Sequence, residues 1–346
     1  MPRPDKELRF RNGRIPGYFS IFLGGLSLAA VLAYLFPSYL TTTDLRAAYD
    51  AEALQDVLKY GMWFSLFFGI TTFILDRRKR LGAAGIAMTL IAFGLGGYNV
   101  PVGPVEPKPL SLGVDWLILA FLGSTIVFTS LEKLFPKYRE QVILRDQWGL
   151  DFFYFCLNHL LISAVLLFGN FLVTRFEWVA SDSLQAAIQS TPLWLQVVLL
   201  ILVADFVLYW EHRVFHEVRR LWLFHAVQIF IERGLVMLAL YLLGASKEAL
   251  DIYVTFAALQ AIIIHSNLNV PWGPLKYLLV TPQFHHWHHS SEKPAIDTNY
   301  SAHTVLFDRL FGTYHFPKAH WPAEYGTTQK LPGSYLGQLF YPFRRR

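Results

Sequence analysis

The sequence predicts an all-α integral membrane protein with about six transmembrane helices, a short membrane-dipping hairpin and a cytoplasmic histidine-rich cap. Three observations carry that prediction. Of 346 residues, 54% are apolar and 16% charged, with mean hydropathy +0.35, whereas a soluble domain carries about 25% charge. The apolar residues gather into uncharged runs near the roughly 20 residues that cross a bilayer core. Finally, of the 12 histidines all but His159 fall after residue 211. The charge deficit excludes disorder and argues against an ordinary soluble enzyme. The net charge of +5 reads as membrane topology, not as a nucleic-acid footprint. A single cysteine, Cys156, excludes a disulfide framework, CxxC chemistry and thiolate zinc sites.

The first apolar run, 17–36, stops at Pro37 and follows Arg3, Lys6, Arg9, Arg11 and Arg14. It is too long for a signal peptide and lacks a small-residue cleavage site, so it reads as a retained anchor. Run 60–75 ends in Asp76-Arg-Arg-Lys-Arg80, and a Gly/Ala-rich run covers 81–98. Four prolines within 101–109 mark an extended connection. Runs 116–131, 152–174 and 192–210 complete the six spans. Segments 1–16, 76–80 and 132–151 hold thirteen Lys and Arg, and the alternating segments 37–59, 99–115 and 175–191 hold four. Because basic loops stay cytoplasmic, this split predicts a cytoplasmic N-terminus and returns the chain to the cytoplasmic face at Trp210. Runs 234–244 and 252–264 are too short to cross individually and read as the dipping hairpin or as core helices. From Pro271 prolines, histidines and charges return, and the chain ends in Arg344-Arg-Arg346. The organisation predicted is a transmembrane region over 1–150, a histidine-bearing membrane domain over 151–320 and a basic tail over 321–346. Such a multi-pass chain belongs in a bacterial inner membrane or the endoplasmic reticulum.

His212 and His216 stand four residues apart, so one helical face presents both imidazoles. His225 follows, His265 ends the hairpin, and Gln283-Phe-His-His-Trp-His-His289 puts His285, His288 and His289 on neighbouring helical faces. Imidazole suits iron, zinc and copper. Several sets converging at one depth predict two metal ions. An isolated histidine such as His159 reads instead as an interfacial or hydrogen-bonded side chain, and His303, His315 and His320 as surface or supporting residues. Asp205, two turns before His212, is an ionisable group inside a span; it is placed to accept from a ligand histidine's outer ring nitrogen. Arg213 reads as snorkelling to the headgroups, and Tyr209 and Trp210 as interfacial belt residues. Asp297, Asn299 and Tyr300 follow the last box closely enough to support it, or form an ordinary loop turn. Asn269 and His286 complete the expected surrounding set.

At these residues the chain resembles the fatty acid hydroxylase and sterol desaturase superfamily of integral-membrane diiron oxygenases. The matching stretches are Asp205-Phe-Val-Leu-Tyr-Trp-Glu-His-Arg-Val-Phe-His216, Leu221-Trp-Leu-Phe-His225, His265 with Gly273-Pro-Leu275, and Thr281-Pro-Gln-Phe-His-His-Trp-His-His289. Asp297-Thr-Asn-Tyr300 and Asp308-Arg-Leu-Phe-Gly-Thr313 follow. They span residues 205–313, about 110 of the 346 residues. The resemblance implies a non-haem site with two iron ions, zinc being an alternative occupant, that uses O2 and electrons from a separate electron-transfer protein to hydroxylate or desaturate a lipid C–H bond. One departure stands out. The family's second box continues as HxxHH, whereas Gln228 and Ile229 stand here, and a polar segment of some twenty residues with a further histidine is lacking. Either a segment is missing between Val227 and Gln228, or the protein lacks those ligands and is a single-metal or inactive member. A metal or proton transporter is the reading from a different class, since intramembrane histidines also mark ion pathways.

Overall fold

Long apolar runs without internal proline satisfy their backbone only as helices, and helices account for the regular structure of this chain. The computed structural model describes residues 14–106, 108, 111–142, 147–218, 225–317, 320–326 and 332–340. Among them no strand is formed, apart from three isolated β-bridges. The main helices are α1 (Arg14–Leu35), α2 (Ala51–Leu75), α3 (Lys79–Gly94), α4 (Val114–Leu134), α5 (Trp148–Leu160), α6 (Ile162–Phe176), α7 (Leu193–Glu217), α8 (His225–Leu243), α9 (Lys247–His265), α10 (Pro282–His288) and α11 (Leu306–Phe311). Among the described residues, six stretches are long and apolar enough to cross a membrane: Ile15–Leu35, Ala51–Leu75, Lys79–Asn99, Val114–Leu134, Leu193–Glu217 and Lys247–His265.

The number of spans agrees with expectation, but their identity differs in two places. The run 152–174 is divided between two shorter helices, α5 and α6. In the other case the run 252–264 was too short by itself, yet α9 has 19 residues and qualifies as a span. The helix continues beyond the apolar run because Ser246 caps it, accepting from Ala249 N, and because its first turns tolerate Lys247, Glu248 and Asp251. Gly244, at φ +69°, ends α8 in the left-handed conformation that glycine adopts freely. The supposed hairpin is therefore two 19-residue helices. Helix α8 runs unbroken through Val227 and Gln228.

The chain forms two units, Met1–Thr125 with Val142–Ser163, and Ile126–Gln141 with Ala164–Arg346. In the first, α1, α2 and α3 pack through small residues. Without a hydrophobic force between helices in lipid, close backbone approach supplies the attraction. Ser20 and Gly24 of α1 meet Gly85 of α3, where an added Cβ would overlap the Ser20 backbone. Ser65 of α2 and Thr89 of α3 share a buried hydroxyl hydrogen bond of 2.8 Å. Gly85→Val is expected to cost about 1–3 kcal/mol through overpacking, read as a lower unfolding midpoint in detergent; an unchanged midpoint would refute this contact.

In the second unit α7 buries Gln196, Leu200, Ala204 and Phe215 at intervals that keep one face inward. Leu200 and Ala204 pack with Val236 and Leu240 of α8 and Ala249 and Tyr253 of α9. Gln196 ties the α8–α9 turn, its Oε1 accepting from Ser246 N at 2.9 Å. The up–down–up arrangement brings the C-terminal ends of α7 and α9 together, and these ends carry His212, His216 and His265. Residues 137 and 138 bind the turn after α9: Lys137 N donates to Asn267 O, and Tyr138 N to Asn267 Oδ1.

Candidate metal centre

Two clusters of three histidines form within the second unit. His212, His216 and His288 make one; His265, His285 and His289 make the other; in each, the candidate ligand nitrogens lie within 4.8 Å of one another. In the first cluster the ring centroids stand 4.6–4.9 Å apart. In the second, His285 Nε2 lies 2.9 Å from His265 Nε2 and 3.1 Å from His289 Nε2. The clusters adjoin, with His288 and His289 centroids 5.1 Å apart.

Local sequence explains why one short helix serves both. Thr281 caps α10, its Oγ1 accepting from Phe284 N, and Pro282 starts it. Phe284 and Trp287 are buried as anchors. With those fixed, His285 and His289, four residues apart, reach one cluster, and His288 the other. His286 reaches neither: its Nδ1 pairs with the Tyr325 hydroxyl at 3.1 Å and its ring meets Trp321.

The outer nitrogens are held by backbone. His212 Nδ1 is 3.0 Å from Tyr300 O, His288 Nδ1 2.9 Å from Thr298 O, and His265 Nδ1 2.7 Å from Ala261 O. With Nδ1–H donating to a carbonyl, the Nε2 lone pair is free to bind a cation. Burial pushes the His285, His288 and His289 rings below the ordinary imidazole range, His289 to about 2, and neighbouring histidines add to the effect. This favours the neutral imidazole, the form that ligates metal. His285 Nδ1 is buried without a partner.

Asp205 does not accept from a histidine ring, as its helical spacing had predicted. Its buried carboxylate accepts from the backbone N–H groups of Ala302, His303 and Thr304 and from Thr304 Oγ1, at 2.7–2.9 Å. Two turns of α7 put it too far along the axis to reach the cluster directly. A second buried carboxylate, Asp308, accepts from Tyr300 N, Ser301 N and Thr313 Oγ1. Together they pin the loop whose carbonyls orient His212 and His288. Asp297 and Asn299 give this loop its path, with φ +59° and +60°, values that Asp and Asn tolerate best after glycine. Asn299 is buried, donating to Phe284 O and His315 O and accepting from His315 N. Asp297 is exposed. Tyr300 lies against His212, His216 and His288, with centroids 5.5–6.0 Å away.

Other expectations shift. Asn269 is exposed, and Asn267 takes the structural role in that turn. Arg213 donates to Glu217 and to the Tyr209 hydroxyl and lies over the Trp210 ring. Tyr209 is fully buried, its hydroxyl 3.0 Å from Thr313 Oγ1, so it is core and not belt. His303 is buried too, its Nδ1 2.9 Å from Gln260 Oε1, with burial lowering its pKa to about 4. His225 opens α8, but its side chain, residues 219–224 and Arg344 to Arg346 lie outside the described residues. Sequence reasoning also missed Glu211 and Glu232. With Gln228 they border a cavity of about 250 Å³, which His265, His285 and His289 border as well. Glu211's place inside the first motif was the one available signal.

Comparison with known families bears directly on these residues. The family described as fatty acid hydroxylase matches residues 221–313, a span holding His265 and all of α10. This stretch of the chain is similar to the fatty acid hydroxylase family. Over 260 residues the chain is 29% identical to the ornithine lipid hydroxylase OlsE of Rhizobium tropici, covering 67% of this chain and 76% of that protein. The chain is also similar to alkylglycerol monooxygenases: 30% identical over 126 residues in Xenopus tropicalis and 27% over 126 in Homo sapiens. Those matches cover 32% of this chain and 28% of each relative, so the chain matches little more than a quarter of their length. No solved structure matches.

Proposed function

We propose that the protein is a membrane-bound, O2-dependent oxygenase that hydroxylates a lipid C–H bond at two metal ions, with iron the expected metal. The carrying observation is the pair of adjoining three-histidine clusters at the ends of α7 and α9, joined through α10. The residues fit metal: six imidazoles converge, three of them with Nδ1 held by backbone carbonyls, and burial opposes the protonated form at His285 and His288. Metal bound there would supply O2 activation and the oxidising power. The protein's own contribution is ligand geometry through the 297–304 loop and a cavity partly walled by Leu208, Val236, Ala257, Ala261 and Ile264, which limits water. Hydroxylation by O2 consumes two electrons and two protons and releases water, so a separate electron-transfer protein is a required partner. Desaturation uses the same site. Two three-histidine clusters favour the two-metal reading over a single-metal or inactive one despite the shortened box. Their position at helix ends, not mid-span between repeats, disfavours a transporter.

With run 152–174 counted as a further crossing, the basic segments support an N-terminus and histidines on the cytoplasmic side of a bacterial inner membrane or the endoplasmic reticulum. Lipid extracts of cells expressing the chain should contain a product one oxygen heavier, formed only with O2, and the purified protein should carry close to two metal ions, one for each cluster. Metal-free protein without such a product, or ion flux in proteoliposomes, would overturn the proposal.

A further inference from the structure

The cavity of about 250 Å³ beside His265, His285 and His289 is small against the roughly 300–1,000 Å³ of ligand pockets. It admits part of a lipid, not a whole one. Its polar wall includes Glu211 of α7, which is 7% exposed. Glu211 Oε1 is buried without a hydrogen-bond partner, and Oε2 accepts only a long bond, 3.4 Å, from Gln228 Nε2. A buried carboxylate left this way is costly unless a cation faces it or it takes up a proton. Neither histidine cluster includes Glu211. The nearby guanidinium, Arg233, is half exposed and lies 3.7 Å from the other acidic residue of the cavity, Glu232. An ammonium group, compact and with three donors, suits the vacant carboxylate oxygen and the cavity's size.

We infer that this cavity binds the amine-bearing part of the lipid substrate, with its ammonium on Glu211. The inference rests on the lipid-oxygenase reading and adds the substrate's charge. Its test needs no turnover. N-dodecanoyl-lysine, with a free side-chain amine, and its side-chain-acetylated form are titrated into the full-length, metal-loaded protein. A charge-assisted pair predicts that the free amine binds roughly ten- to hundredfold more tightly. Glu211→Gln should abolish that preference while metal content stays constant. Equal binding of the two lipids by the unaltered protein, or an undiminished preference in Glu211→Gln, would overturn the inference. Loss of metal from Glu211→Gln would also overturn it, by making Glu211 a ligand. Should the variant not fold, the comparison of the two lipids on the unaltered protein decides alone. Selective binding without any oxygenated product would instead separate this inference from the oxygenase reading, which alone would fail.

Discussion

Asp205→Asn should unfold at a markedly lower temperature and hold metal ten- to a hundredfold more weakly. The carboxylate accepts four hydrogen bonds from Ala302, His303 and Thr304 while fully buried. Asparagine keeps the shape but turns one acceptor into a donor facing other donors. Breaking a buried charged network of this kind costs about 3–5 kcal/mol, and losing the support behind a ligand lowers metal affinity about 10–100-fold. Both effects should appear together, as a depressed unfolding midpoint in detergent and reduced metal retention on dialysis. Thr304→Val removes one of the four bonds and should cost about 1 kcal/mol. If Asp205→Asn retained full stability, the loop would have to be held by Asp308 alone.

The second large effect is expected at His288. It is the one histidine of α10 in the first cluster, so His288→Ala leaves His212 and His216 as a pair, with the second cluster intact. Metal content should fall toward half, and oxygenated lipid should drop by at least about a hundredfold, because two-metal chemistry loses one partner. His286→Ala, altering the adjacent ring outside both clusters, should keep its metal. Equal metal loss in the two variants would mean that α10 matters for folding and not for ligation.

Much of this site is readable along the chain. The spacing of His212 and His216 on an apolar helix, and of His285, His288 and His289 behind Thr281-Pro282, follows from helical geometry and capping. The division of these histidines into two clusters does not, because it depends on the ends of α7 and α9 meeting around α10. Asp205 shows the same limit. Its presence inside a span marked it as functional, but its partners lie 97–99 residues away, and no local pattern reports such a contact. Asn267 and Asn269 are equivalent as letters, and the backbone after α9 decides which is buried. Tyr209 reads as a belt residue until α11 and Tyr300 are seen to cover it.

The apolar runs also had a limit. They located the helices well and their ends poorly, since α9 begins among charged residues and one uninterrupted run is divided between α5 and α6. Hydropathy reports the solvent a segment prefers; where it starts, stops or bends is set by caps and by neighbours. Composition, run length and imidazole spacing suffice for a helical membrane chain with a multi-histidine centre, because each reflects a local and additive property. The two-cluster geometry, the carboxylate-pinned loop and the unpaired Glu211 beside the cavity required the folded chain. Each is a contact between segments distant in sequence, and its energy exists only once those segments are packed.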